Sequence, residues 1–195
     1  MKQKKYLMFL IPLVAVVVIV ESIVLVSGLN KNQTTNLPVE VLPTKTPPVL
    51  DIVFGGKAQM KLGESGDVEV SVISKNDYAV DSIDLFIKYD KSAFDLANLT
   101  AGKTLPKPSF SKISDKTSLV VVSYKITEAE GFRIIQGEPL SLAKFRVTPK
   151  KAGTFAFEVN TGEAGKESVT MFVKTGRPIT ILPFSSNKLT VEVAR

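Results

Sequence analysis

Cysteine and histidine are both absent from the 195 residues. Lack of cysteine removes a disulfide framework, thiol catalysis and thiolate metal sites together. Lack of histidine removes the commonest general base, the Ser-His-Asp type of triad and imidazole-ligated metal centres. Chemistry through paired carboxylates or lysine stays open in principle, but no facing pair of carboxylates stands out. The chain is therefore expected to be no enzyme, with no catalytic residue, no cofactor and no metal site of its own. Tryptophan is missing too, and four tyrosines with eleven phenylalanines leave few candidates for the aromatic platform that many sugar-binding surfaces use.

A strong charge of one sign is also lacking once the net +6 is divided along the chain. Up to Pro48 there are five Lys against two Glu, and the remainder holds 20 Lys plus Arg against 17 Asp plus Glu, so each part carries only +3. No dense basic block is present to track phosphates, which argues against nucleic acid as a partner.

What the chain does have is a long apolar run at residues 7–29, preceded by Lys2, Lys4 and Lys5 and interrupted mainly by Glu21 and Ser22. About 20 apolar residues suffice for a helix to cross the hydrocarbon layer. The lysines before the run and the single nearby Lys31 behind it favour a cytoplasmic amino end at residues 1–6 and an exported remainder. The run is expected to stay as a transmembrane signal anchor; cleavage after Val26-Ser27-Gly28, with release, is the alternative. Glu21 fits such a span near an interface, protonated, or paired with another helix.

Residues 30–48 read Asn-Lys-Asn-Gln-Thr-Thr-Asn and then a Pro- and Thr-containing stretch. Such a composition buries no core and favours extended conformations, so it is expected to act as a flexible linker. From residue 49 the texture changes to short runs rich in Val, Ile, Thr and Phe, bounded by Gly, Pro, Asn and Asp. Strands are expected at 49–54, 58–62, 67–74, 82–89, 94–99, 110–113, 118–126, 140–148, 153–159, 169–173, 179–182 and 188–193. No helical period persists for three turns and no strand–helix alternation occurs, so residues 49–195 are expected to form one all-β sandwich.

Alternation assigns faces. In 82–89, Ile83, Leu85, Ile87 and Tyr89 point one way, and Ser82, Asp84, Phe86 and Lys88 the other. In 118–126, Val120, Val122, Tyr124 and Ile126 take one face and Leu119, Val121, Ser123 and Lys125 the other. A strand apolar on both sides is covered on both or offers one to a partner.

Three stretches carry a family resemblance: Ser82-Ile-Asp-Leu-Phe-Ile-Lys-Tyr-Asp90 leading to Phe94 and Leu96; Ser118-Leu-Val-Val-Val-Ser-Tyr124; and Leu140-Ser-Leu-Ala-Lys-Phe-Arg-Val147 followed by Lys151-Ala-Gly-Thr-Phe155. In this order they resemble the cohesins, jelly-roll sandwiches of nine strands that hold dockerin modules in cellulosome-type assemblies. The likeness covers nearly all of 49–195. Each motif also has an architectural role open to any sandwich: Asp90 starts a turn, Tyr89 closes the core edge, and Gly153 supplies a turn conformation. Residues 161–184 read as an additional β-flap hairpin around Lys174-Thr-Gly-Arg177.

The resemblance implies a protein partner carrying a dockerin-like module, tethered at the membrane, with a role in polysaccharide binding or breakdown. It places the partner face on the sheet containing 82–89, 110–113, 118–126 and 153–159. The candidate partner-binding residues are Asp84, Phe86, Lys88, Leu119, Val121 and Ser123, with Phe86, Leu119 and Val121 as a desolvated centre. The competing expectation has Phe86 covered by the 161–184 hairpin and contributing only stability. Dockerins carry paired calcium loops, and no stretch here has the ligand spacing of such a loop. Asp77, Asp81 and Asp84 are close in sequence, yet calcium is expected to come with the partner. Two further functions remain from other classes: direct carbohydrate recognition by a β-sandwich, and a structural or adhesive role in an envelope complex.

Overall fold

The 11-residue segment Tyr78–Lys88 becomes the central strand of the larger of two sheets in the computed structural model, which describes residues 47–162 and 168–195. The membrane span expected at 7–29 and nearly all of the linker expected at 30–48 lie outside the described residues. In chain order the strands are β1 (Leu50–Gly55), β2 (Gln59–Lys61), β3 (Gly66–Ser74), β4 (Tyr78–Lys88), β5 (Phe94–Ala101), β6 (Phe110–Ser114) and β7 (Leu119–Lys125). They continue as β8 (Phe132–Ile134), β9 (Pro139–Pro149), β10 (Gly153–Val159), β11 (Met171–Lys174), β12 (Thr180–Ile181), β13 (Phe184–Ser186) and β14 (Leu189–Ala194). No helix occurs among the described residues, as expected for an all-β chain.

One sheet runs β13-β1-β3-β9-β5; the other follows β12-β11-β4-β10-β14-β2, with β7 on the opposite edge of β4 and β6 outside β7. Both edges of β4 are covered by strands that break and resume. On one edge β7 pairs with Ser82–Lys88 and, after an excursion over 126–131, β8 pairs with Tyr78–Val80. On the other, β10 pairs at Ile87 and Lys88, and β11 resumes at Val80–Asp84. At that second break Asn160 N donates to Phe86 O at 2.7 Å, and Phe86 N donates to Thr170 Oγ1 at 2.9 Å. No ladder group of Phe86 is left unpaired there.

The inward residues follow the period of two. Ile83, Leu85 and Ile87 are fully buried, as are Val120, Val122 and Tyr124 to within 1 %. Facing them from the other sheet are Val68, Val70 and Val72 of β3 and Leu142, Phe145 and Val147 of β9. Phe157 of β10 links the layers, with its ring 5.0 Å from Phe94 of β5 and 5.7 Å from Phe145 of β9. The Tyr124 hydroxyl donates across the core to Leu142 O. Each such buried side chain contributes about 1.5–3 kcal/mol over its exposed state.

Two short strands lay outside the sequence reading. β8 is three residues long, and β13 pairs in parallel with β1 at Leu50–Ile52. The expected hairpin exists as β11 and β12, but the chain then crosses at Leu182–Pro183 to the other sheet before returning as β14. The expected turn roles hold: Asp90 Oδ1 accepts from Ser92 N at 2.8 Å, and Gly153 has φ 141°.

Candidate functional site

The outward residues of β4, β7 and β6 form cross-strand rows, because opposed residues in an antiparallel pair share a face. Asp84 stands opposite Ser123, Phe86 opposite Val121, and Lys88 opposite Leu119. The six sequence-selected residues are thus three directly opposed pairs on one face. β6 extends each row, with Phe110 opposite Ser123, Lys112 opposite Val121 and Ser114 opposite Leu119. On the far side of β4, Met171 lies opposite Asp84 and Glu158 opposite Lys88.

Phe86 and Val121 are half-buried and form the apolar centre, ringed by Asp84, Lys88, Lys112 and Ser123. Leu119 departs from the expectation of an open position. It is 8 % exposed, flanked by Lys88 and Ser114, and lies outside the main core cluster, so it backs the patch more than it fronts it. Among the described residues, the flap strands β11 and β12 extend the sheet sideways at the level of Val80–Asp84. Phe110 and Met171 were missed as site residues. Phe110 is half exposed and occupies the outward phase of β6, which the alternation of Ile113 into the core already marks.

Beside this patch runs a cleft of about 780 Å³, floored by Ser82 and Asp84 and walled by Ile126 and Ala129 on one side and Thr175–Ile179 on the other. Asp81 fixes both walls to β4. Its Oδ1 accepts from Thr175 Oγ1 at 2.6 Å, and its backbone O accepts from Ile126 N at 2.8 Å. Asp77 accepts from Gln136 N at 2.8 Å. Two of the three clustered aspartates therefore hold loops in place, and no cluster of acidic side chains suited to a metal ion occurs among the described residues.

A carbohydrate platform needs exposed aromatic faces. Tyr89 and Tyr124 are 5 % and 1 % exposed, Tyr78 lies against Lys174, and Phe110 is the exposed large aromatic among the described residues. At the far end of β4 the Tyr89 hydroxyl donates to Asp115 Oδ1 at 2.8 Å. Burial, then that carboxylate, raises the phenol above its ordinary range.

No family model and no curated protein matches the sequence. Solved structures do match the fold. The seventh ScaB type I cohesin from Pseudobacteroides cellulosolvens aligns with a TM-score of 0.60 at 15% identity, over 76% of this chain and 94% of that one. A type I cohesin–dockerin complex from Clostridium thermocellum, Coh-OlpA-Doc918, aligns at 0.59 and 20% identity, over 75% and 99%. The cohesin module of a family 33 glycoside hydrolase from Clostridium perfringens aligns at 0.55 and 14%, over 75% and 98%. The chain has the cohesin fold.

Proposed function

We propose that residues 49–195 are a protein-docking module that receives a dockerin-type partner on the outer face of β4, β6 and β7, presented outside the cell by a membrane span at 7–29. The reading is supported chiefly by one observation: the Phe86–Val121 pair forms an apolar centre within a polar rim on the outer face of β4 and β7. Hot spots take this form, with a desolvated core and hydrogen-bonding or charged groups around it. The fold supports the same reading, because the Clostridium thermocellum structure of that fold is described as a cohesin–dockerin complex. Charge at the rim is mixed, with Asp84 and Glu158 against Lys88 and Lys112. Such a rim steers and orients a partner of mixed charge without drawing in polyanions.

Anchoring and an exterior location are carried by the apolar run and the preceding lysines. A place in polysaccharide binding or breakdown would then come through what the partner carries. No catalytic group is needed on this chain, whose role is to hold another protein at the surface.

Calorimetric titration of the full chain with a calcium-loaded dockerin module from the same organism tests this. Saturable binding that disappears on chelation of calcium is expected. Absence of heat with calcium present, together with retention on polysaccharide alone, would replace the docking reading with direct glycan recognition.

A further inference from the structure

The cleft beside the docking patch is closed where the 126–131 excursion meets the β11–β12 turn. A Cβ on Gly131 would lie 2.0 Å from Thr175 Oγ1 and 2.9 Å from Val80 O, and φ there is +70°. Any side chain at 131 would hold the two walls apart, so glycine lets them meet. Both walls are pinned to β4: Ile126 N donates to Asp81 O and Thr175 N to Ala79 O, each at 2.8 Å. Thr175 Oγ1 adds its bond to Asp81 Oδ1. Along β4 the floor runs from Asp81 to Asp84, and Asp84 is already a member of the docking patch. The cleft is thus a fixed recess that leads out of the patch.

Charge does not select what enters it. The acids in and around the cleft are Asp81, Asp84, Glu128 and Glu130, and the cations are Lys125, Arg133, Lys174 and Arg177. The walls, in contrast, are of one kind: Ile126 and Ala129 on one side, Val173 and Ile179 on the other. Ile179 is 79 % exposed, the most open large apolar side chain among the described residues. Phe110, half exposed, follows Ser109 at the β6 side of the same cleft. Apolar surface is therefore left open to solvent at the rim of a recess that adjoins the Phe86–Val121 pair.

We infer that the cleft is a second anchor pocket of the docking surface, and that it receives an apolar side chain, aliphatic or aromatic, which the partner projects beside its contact with Phe86 and Val121. The inference rests on the reading of this outer face as the docking surface for a dockerin-type partner. Anchors of that kind take most of their binding energy from preformed pockets that exclude water around them. The spacing suits a helical partner. Asp84 and Ser82 lie two and four residues from Phe86 along β4, roughly 7 and 13 Å at about 3.3 Å per residue. One or two helical turns of about 5.4 Å cover that distance. A single partner helix laid along β4 reaches both the Phe86–Val121 pair and the cleft. The 126–131 excursion and the β11–β12 turn then discriminate between partners with and without the second anchor.

Titration of full-length variants with the calcium-loaded dockerin module from the same organism tests this. Ile179→Asp and Ile179→Lys are each expected to weaken binding at least about tenfold, and Ala129→Trp, which fills the cleft from the opposite wall, to do the same. Ile179→Leu should stay within about twofold of the parent. Ile135→Asp, in the β8–β9 turn and outside the cleft, should leave binding unchanged. Ile179 and Ala129 are both exposed, so circular dichroism should report the parent fold for these variants. Loss of binding in Phe86→Asp with Val121→Lys, beside full binding by I179D, I179K and A129W, overturns the inference and leaves the docking surface standing. Tighter binding by I179D or by I179K overturns the apolar guest in favour of a charged one. A parent chain that binds no dockerin removes the docking surface, and the inference with it.

Discussion

Phe86 and Val121 face each other across β4 and β7 as a pair that shares no backbone hydrogen bonds. The N–H and C=O of Phe86 are both turned to the other side, toward Thr170 and Asn160. In such pairs the Cα atoms approach to about 4.5 Å and the side chains lie in contact. Phe86 and Val121 therefore act as one apolar unit on the outer face. Replacing both, as Phe86→Asp with Val121→Lys, is expected to weaken dockerin binding by at least roughly 30-fold, the range of a hot spot worth about 2 kcal/mol or more. Neither residue belongs to the core cluster. Thermal unfolding followed by circular dichroism should shift by only a few degrees, and loss of the folded state would show that the pair is core.

Phe157 tests the other side of the same sheet. It is fully buried, and its ring lies against Phe94 and Phe145 from the opposite layer. Phe157→Ala removes the link between the sheets and leaves a cavity, at an expected cost of about 3–5 kcal/mol. Guanidinium denaturation should show a lower midpoint with an unchanged slope. Dockerin affinity measured below that midpoint should stay within about twofold of the parent, because Phe157 and the patch lie on opposite faces.

Much of this was legible because a period of two leaves little freedom once one face is buried. The assignment of Ile83, Leu85 and Ile87 inward and of Asp84, Phe86 and Lys88 outward follows from alternation alone. Pairing is another matter. Nothing local in Phe132–Ile134 shows that it resumes the edge of β4 that β7 leaves, and nothing in Phe184–Ser186 shows a switch of sheet. Both depend on contacts with distant strands, and both are too short for a periodic signal. The start of β4 was missed for a related reason: a register shift opposite Val173 and Lys174 breaks the alternation near Asp81. Leu119 was read by phase as open, yet phase does not report how closely the strands on either side enclose a residue.

Gly102 offers a purely steric test. A Cβ built there would sit 1.8 Å from Ser141 O, far inside contact distance, where β5 closes on β9. The obstacle is backbone, so no side-chain rotation relieves it. Gly102→Ala is expected to destabilise by about 1–3 kcal/mol, the range for overpacking with backbone displacement. Gly63→Ala meets no atom within 4 Å, but φ there is +76°. It should cost only about 1 kcal/mol of left-handed strain. Side-by-side urea denaturation distinguishes the two, and an equal loss would mean that β5 moves away from Ser141 freely.

Tyr89 makes stability depend on pH at the alkaline end. Its ring closes the core at 5 % exposure and its hydroxyl donates to Asp115. Burial first, and the Asp115 carboxylate second, hold the phenol above its ordinary value of 10.0. The fold thus favours the protonated form, and the resulting stabilisation is complete below the unfolded-state value. It is lost as pH rises from there through the higher folded-state value. Tyr89→Phe deletes the titration together with the hydrogen bond. Below about pH 9 the variant should be less stable than the parent by a constant amount of about 1 kcal/mol. Above about pH 10 the parent should lose stability faster, so the gap narrows and then reverses. All other ionisable groups are common to both proteins and cancel in the difference. Guanidinium midpoints at intervals from about pH 8 to about pH 11 follow that difference. A gap that stays constant across the series would mean that the Tyr89 phenol leaves Asp115 and reaches solvent without cost.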